Sequence, residues 1–306
     1  MLNTFKDILA AARQGGVRKL AIPTPTAADV SLAAAAMAAG LARPCFVGDA
    51  GAIKPLAAAT TLREGDYELW EEKNPQQGLR RALSAARDGA ADIILQGGVT
   101  PGDFVAALQD REQGLGSKAT VVSYVSLYPL RKREKLILVT DTFLNNRPSL
   151  VEKQQILANA LGLARLLGIE APKAAVLAAI EQVNPGIPST LDAAILAKMG
   201  ERRQFGKALV EGPLDIDCAL SRAAAGRKGV QSPVTGNVDV YLVPEIDTGH
   251  LLAEALVFFG GMQSAGAVLG TTKPALLKLP FVTEENRLVE IALAALIAGK
   301  GGGNGG

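Results

Sequence analysis

The chain has 306 residues, 48% of them hydrophobic but only 4% aromatic. It is long enough for two domains, with cores built from Ala, Leu, Val and Ile, a composition that suits layered α/β packing and argues against a sandwich held by aromatic cross-strand pairs. With 32 basic and 30 acidic residues the net charge is +2, which offers no field for a nucleic acid or other polyanion.

No apolar run reaches membrane-spanning length, and the stretch Met1–Leu9 lacks a secretory pattern. A cytoplasmic protein with no membrane partner is therefore expected. Cys45 and Cys218 lie in apolar surroundings with no metal spacing between them, and read as buried, reduced thiols. His250 is the only histidine. No metal site is expected, and a Ser-His-Asp triad would have to be built on that one residue.

Residues 4–14 carry Phe5, Ile8 and Leu9 on one helical face. Lys19–Pro23 reads as a strand, Thr26–Gly40 as an Ala-rich helix, Ala42–Val47 as a strand and Gly48–Gly51 as the turn after it. Asn74–Asp88 is helical. Ala91–Leu95 is a strand followed by Gln96-Gly97-Gly98-Val99-Thr100-Pro101-Gly102-Asp103 and another helix. This alternation is the signature of a parallel sheet. Ala119–Tyr128 and Lys135–Thr140 form a predicted hairpin, with the basic run Arg131-Lys132-Arg133 at its tip read as a solvated turn. Ser149 and Glu152 frame a capping box that starts a helix running to Leu167. Ala174–Ile180 is a strand, and Leu191–Gly200 a helix.

Three short apolar runs follow, Ala208–Val210, Val238–Val243 and Ala265–Leu269, and read as buried parallel strands. The turns after the first two are Glu211-Gly212-Pro213, with Asp215 and Asp217 beyond, and Pro244–His250. Open α/β sheets bind ligands beyond the carboxyl ends of their strands. Lys273–Leu279 is a last strand, and a helix spans Thr283–Ala298 with Thr283 as its cap. The Gly-rich tail 301–306 is expected to be flexible.

No P-loop and no Gly-x-Gly-x-x-Gly after a strand is present. What the chain offers instead is a set of strand-end loops rich in Gly, Ser, Thr, Asn and Asp, of the kind that hold anions through backbone N–H groups and helix N-termini. Gly97, Gly98 and Thr100 would make such contacts from the first half. Asn184, Ser189, Thr190, Ser232, Thr235 and Gly236 would do so from the second, with Asp141, Glu211 and Asp247 to orient a ligand. Each taken singly reads equally well as a helix cap or turn residue.

Several segments carry a resemblance. They are Ala91–Thr100, Thr140-Asp141 with Asn146, Pro148 and Glu152-Lys153, and Glu181-Gln-Val-Asn-Pro-Gly-Ile-Pro-Ser-Thr-Leu-Asp192. They continue as Val210–Asp217, Lys228–Gly236, Val243–Gly249 and Gly266–Gly270. In order and spacing the chain resembles the phosphate acyltransferases, and within them the phosphate butyryltransferase branch. The resemblance implies two α/β domains with a cleft between them, similar to the isocitrate dehydrogenase type, over 1–138 with 273–300 and over 139–272. It implies the reaction acyl-CoA + phosphate ⇌ acyl phosphate + CoA over the acetyl to butyryl range, with CoA a substrate rather than a cofactor, and a homodimer.

Related enzymes carry a Ser-Arg pair after the Lys273-Pro274 strand and an aspartate base six residues on. This sequence has Leu279-Pro280 and Asn286 there, and Lys278, Glu284 and Glu285 are the nearest charged groups. A non-catalytic relative that binds CoA or an acyl phosphate is the second reading. Another enzyme on this fold acting on a different phosphorylated or acyl substrate is the third.

Overall fold

The structure is a computed structural model that describes residues 1–116, 120–130 and 134–301. The tip residues Arg131, Lys132 and Arg133 and the tail 302–306 lie outside the described residues. The first part of the chain runs α1 (Phe5–Gln14), β1 (Arg18–Pro23), α2 (Ala27–Ala38), β2 (Ala42–Gly48), α3 (Ala50–Ala58), β3 (Glu68–Glu71), α4 (Pro75–Arg87), β4 (Ile93–Leu95) and α5 (Pro101–Gln109). The middle runs β5 (Ser123–Leu130), β6 (Lys135–Thr140), α6 (Leu150–Leu166), β7 (Lys173–Leu177), α7 (Pro188–Glu201), β8 (Leu209–Leu214), α8 (Ile216–Leu220), α9 (Arg222–Arg227), β9 (Val240–Leu242) and α10 (Ile246–Phe258). The chain closes with β10 (Ala265–Leu269), β11 (Ala275–Leu276) and α11 (Glu284–Gly301).

These elements form two compact α/β units. One comprises Phe5–Val122 and the chain from Ser264 onward; the other comprises Met1–Thr4 and Ser123–Gln263. The strands of the first unit follow the order β3-β2-β1-β4-β11-β10. All neighbours are parallel except β11 and β10, which meet antiparallel at Val268 and Ala275. In the second unit the order is β5-β6-β9-β7-β8. There β5 and β6 form the expected antiparallel hairpin, and β6, β9, β7 and β8 are mutually parallel. Strands such as β4 and β9, buried at every residue, are continuous apolar runs, as parallel strands covered on both faces must be.

Local chemistry sets the element boundaries. The Ser149 side chain accepts from the N–H of Glu152 while the Glu152 carboxylate accepts from the N–H of Ser149, closing the capping box of α6. Thr26 and Asp29 build the same device at the start of α2. Thr283 accepts from the N–H of Asn286 at the head of α11.

Four sequence expectations are corrected. The stretch Gly48–Gly51, read as a turn, leads directly into α3, capped by Asp49 through the N–H of Gly51. Glu211-Gly212-Pro213, read as a turn, lies inside β8. Proline is tolerated there because β8 ends the strand order, and the register shifts so that Ala175 to Leu177 of β7 spans Glu211 to Leu214. Strand β10 is antiparallel to its partner β11, because the connection from Gly270 to Pro274 is too short for a crossover. The last strand covers only Ala275–Leu276, because the Lys278 N–H turns to the Gln96 side-chain oxygen at 3.0 Å.

One close approach fixes the strand-end loops of the first unit. Gly97, at φ 66°, sits so near β1 that a Cβ there would lie 1.8 Å from the Pro23 carbonyl oxygen. A Cβ on Gly98 would lie 2.3 Å from that of Thr24. The Gly97→Ala variant is therefore expected to lose about 1–3 kcal/mol or more of stability from overpacking, read as a lower urea midpoint with unchanged slope. Wild-type stability in that variant would contradict the tight approach.

Candidate functional site

In the second unit, three parallel strands end on one cavity of about 770 Å³. Leu177, Ala178 and Ala179 reach it from the end of β7, Asp215 and Ile216 from the end of β8, and Pro244 and Glu245 from the end of β9. The N-terminal turns of three helices complete it: Arg147, Pro148 and Lys153 at α6, Pro188, Ser189 and Asp192 at α7, and Thr248 with Leu252 at α10. This is where parallel α/β sheets put ligands, since helix N-termini and strand carboxyl ends share one side of the sheet.

The charged end of the cavity is an ion pair. Lys153 Nζ lies 2.7 Å from Asp192 Oδ2, and only 8% of the lysine side chain is exposed. Lys153 falls in the same helical stripe as Ile156, Leu157, Ala160 and Leu161, all buried. An ammonium in that stripe must be paired, because a lone buried charge is costly to desolvate. At the rim Arg147 is 86% exposed and stands 3.8 Å from Glu245, a contact that solvent screens.

The loop leading into α7 is held by Thr190. Its hydroxyl accepts from the N–H of Asn184 at 2.9 Å and faces the carbonyls of Asn184 and Ile187. Helix α10 sits close over the end of β6, where a Cβ on Gly249 would come within 2.5 Å of the Asp141 carbonyl oxygen. The Asp141 carboxylate is buried and accepts from the N–H groups of Phe143, Leu144 and Tyr124 and from the Asn145 amide. Burial pushes it above the usual carboxylate range. His250 packs edge-on against the Phe143 ring, with centroids 5.1 Å apart.

A second polar cluster stands beside the cavity wall. Lys228 Nζ contacts Glu181 at 2.8 Å, Asp215 at 2.9 Å and Asp217 at 2.8 Å. The Cys218 thiol donates to Glu181 at 3.2 Å. The ligand atoms of Glu181, Asp217 and Cys218 lie within 4.8 Å of one another, a grouping with metal-ligand chemistry in which the lysine ammonium bonds to both carboxylates. Hydrogen bonds from Lys228 hold the Glu181 and Asp217 carboxyls below their usual range and raise its own. Burial and these carboxylates push the Cys218 thiol up to about 12, and burial does the same to Cys45, so both thiols stay protonated.

The other sequence candidates are distributed. Ser189 lines the cavity and Thr190 is buried beneath it. Asn184 is exposed and accepts from the N–H of Gly186. Asp247 is exposed in the first turn of α10. Glu211 lines a separate hollow with Pro233 and Val234. Ser232 and Thr235 bond within their own loop, and Gly236 packs against Arg222.

In the first unit, the Gly98 N–H donates to the carbonyls of Pro23 and Thr24, and Thr100 caps α5. Lys278 Nζ lies 2.8 and 3.0 Å from the two carboxylate oxygens of Asp29, which is buried. Leu279 and Asn286 are buried, whereas Glu284 and Glu285 are exposed. The Arg287 guanidinium donates to the Leu279 carbonyl at 2.8 Å. Sequence reasoning did not single out Arg147, Lys153, Asp192 or Glu245 as site residues. The signal for Lys153 was present, as a lysine in the apolar period of α6.

A sequence model of the family described as phosphate acetyl/butaryl transferase matches residues 66–295. A phosphate butyryltransferase of Clostridium acetobutylicum is 34% identical over 300 residues, covering 98% of this chain and 99% of the relative. Among solved structures, a branched-chain phosphotransacylase from Enterococcus faecalis superposes with a TM-score of 0.77 at 24% identity, covering 92% of this chain and 99% of its own. A phosphotransacetylase from Streptococcus pyogenes does so with a TM-score of 0.81 at 16% identity, covering 96% and 99%. The two-unit α/β fold is thus that of the phosphotransacylases. The chain belongs to the phosphate acetyl/butyryl transferase family.

No helix among the described residues is long and apolar enough to cross a membrane. The Lys228 cluster has its own test. Replacing Lys228 by Met leaves three carboxylates facing one another, so the melting temperature should fall at pH 7. The depressed Glu181 and Asp217 contribute stability above their unfolded pKa values and lose it as pH drops through the lower folded ones. The deficit should therefore close toward pH 3. A deficit that stays constant with pH would show that the lysine acts by packing alone.

Proposed function

We propose that the protein is a phosphate acyltransferase that interconverts acyl-CoA and phosphate with acyl phosphate and CoA, on chains in the acetyl to butyryl range. Family membership over most of the chain supports this reading. The observation that carries it is the cavity at the ends of β7, β8 and β9, which sets an ion pair beside an apolar wall. On this reading the protein is cytoplasmic and works as a homodimer. The exposed Leu251, Phe258 and Phe259 of α10 are apolar surface that a second copy would cover.

The chemistry on this reading needs little from the protein as a base. An oxygen of the phosphate dianion forms the new C–O bond at the thioester carbonyl, the C–S bond breaks, and CoA leaves as its thiolate. The acyl phosphate still carries one acidic proton, and the thiolate, with a pKa of roughly 8.5 for a free thiol, takes it. Asn286, which has no basicity, is compatible with that direction. In reverse, the thiol must give up its proton first, and the acyl phosphate returns as the acceptor.

A second reading is a relative that binds CoA or an acyl phosphate without turning it over. The first unit favours it. Lys278 is neutralised by Asp29, and Leu279 is buried at the position where related enzymes carry the serine of a Ser-Arg pair.

The deciding assay follows CoA release from acetyl-, propionyl- and butyryl-CoA with and without phosphate, beside the exposed-site variant Pro280→Arg. Phosphate-dependent release by the unmodified protein is the expected result, with a lower KM for phosphate in the variant. Calorimetric binding of CoA without any release would overturn catalysis in favour of the second reading.

A further inference from the structure

We propose that the carboxylates around the cavity at the ends of β7, β8 and β9 shield its lysines from acylation by the acyl phosphate that the protein itself handles. This inference rests on the acyltransferase reading and adds a property of the same site. An acyl phosphate is a mixed anhydride, and a neutral amine attacks its carbonyl carbon. The C–N bond forms and the C–O bond to phosphate breaks. Phosphate leaves with that electron pair and takes the proton that the amine loses. Only a free amine has the lone pair for this step, so a lysine beside a bound acyl phosphate must keep its ammonium proton or be modified.

Among the described residues, Lys153 is the lysine that lines the cavity, and Lys228 stands behind its wall on Asp215, which is itself a lining residue. Lys153 Nζ lies 2.7 Å from Asp192 Oδ2, inside the apolar stripe of α6. Without that carboxylate, burial would favour the neutral amine, which is how a protein makes a lysine nucleophilic. Lys228 Nζ meets Glu181, Asp215 and Asp217 at 2.8, 2.9 and 2.8 Å. An ammonium has three N–H donors, so these contacts engage all of them. They also raise the Lys228 pKa, and each unit of such a rise leaves about tenfold less free amine. The Cys218 thiol donates to the same Glu181 and is buried, so the third nucleophile in this region also keeps its proton.

Burial alone does not explain the arrangement. The Lys228 side chain is 36% exposed, yet it faces three carboxylates, whereas Lys19, Lys135, Lys153, Lys198 and Lys278 each pair with one. Among the described residues, Lys6, Lys54 and Lys73 are exposed and carry no ion pair. They are the internal comparison: steric access would leave Lys228 as reactive as these three, and carboxylate shielding would not.

The test is a time course of lysine acetylation by added acetyl phosphate on the whole protein, mapped by peptide mass spectrometry, with thermal unfolding as a check on each variant. In the unmodified protein Lys228 should react at least about tenfold more slowly than Lys6, Lys54 and Lys73, and Lys153 should stay unmarked. Asp192→Asn should make Lys153 a site of acetylation, and Asp192→Glu, which keeps the carboxylate, should not. The combined variant Glu181→Gln, Asp215→Asn, Asp217→Asn should bring Lys228 within about threefold of the comparison lysines. Acetylation of Lys228 as fast as that of Lys54 in the unmodified protein overturns the inference, and that comparison needs no variant to fold. An unmarked Lys153 in folded Asp192→Asn protein overturns it as well, because burial alone would then protect the amine. A second arm supplies acetyl-CoA with and without phosphate. Faster marking of the exposed lysines when phosphate is present supports the acyltransferase reading; no change overturns that reading, while the acetyl phosphate arm separately decides the shielding.

Discussion

The ion pair between Lys153 and Asp192 is the contact on which the second unit's cavity depends. It joins the first turns of α6 and α7, the two helices that flank the end of β7. The lysine is almost fully buried and the aspartate is not, so the pair can neither dissolve into water nor lose one partner cheaply. Around it the rest is positioned by ordinary devices: a capping box at Ser149, the Thr190 hydroxyl tying down the 184–187 loop, and Gly249 letting α10 close on the Asp141 carbonyl. Each brings a helix start toward the ends of β7, β8 and β9, and the cavity is what those starts enclose.

The first unit is organised differently. Its strand-end loops are packed so closely at Gly97 and Gly98 that backbone carbonyls of Pro23 and Thr24 occupy the space a side chain would take. Gln96 bridges Val99 and Lys278, and Lys278 lies on Asp29. This corner is a closed network in which the positive charge already has its partner. Pro280, beside it, is exposed. The contrast between a satisfied corner in one unit and an open apolar cavity in the other is what divides the catalytic reading from the binding-only one.

Much of the fold was legible in the sequence because its signals were local. The capping boxes, the apolar strands and the Gly stops of the long helices each need only a few neighbouring residues. What failed to show was non-local or masked by composition. Gly51 and Pro55 hid α3, and Gly212-Pro213 made an edge strand look like a turn. The length of β11 depends on Gln96, 182 residues away from Lys278. The site was less legible for the same reason. Lys228 meets carboxylates 11, 13 and 47 residues away, a grouping no short motif announces. Lys153 alone left a trace, a charge where the apolar period of α6 called for a hydrophobe.

The measurement that bears most directly on this account is a double-mutant cycle on Lys153→Met and Asp192→Asn, read by chemical unfolding and by butyryl-CoA titration. The account predicts that either single change costs about 3 kcal/mol of stability and weakens the thioester. It predicts that the double variant regains much of the stability but not the binding. Single variants within about 0.5 kcal/mol of the parent, with thioester affinity intact, would contradict it, because the cavity would then stand without the pair.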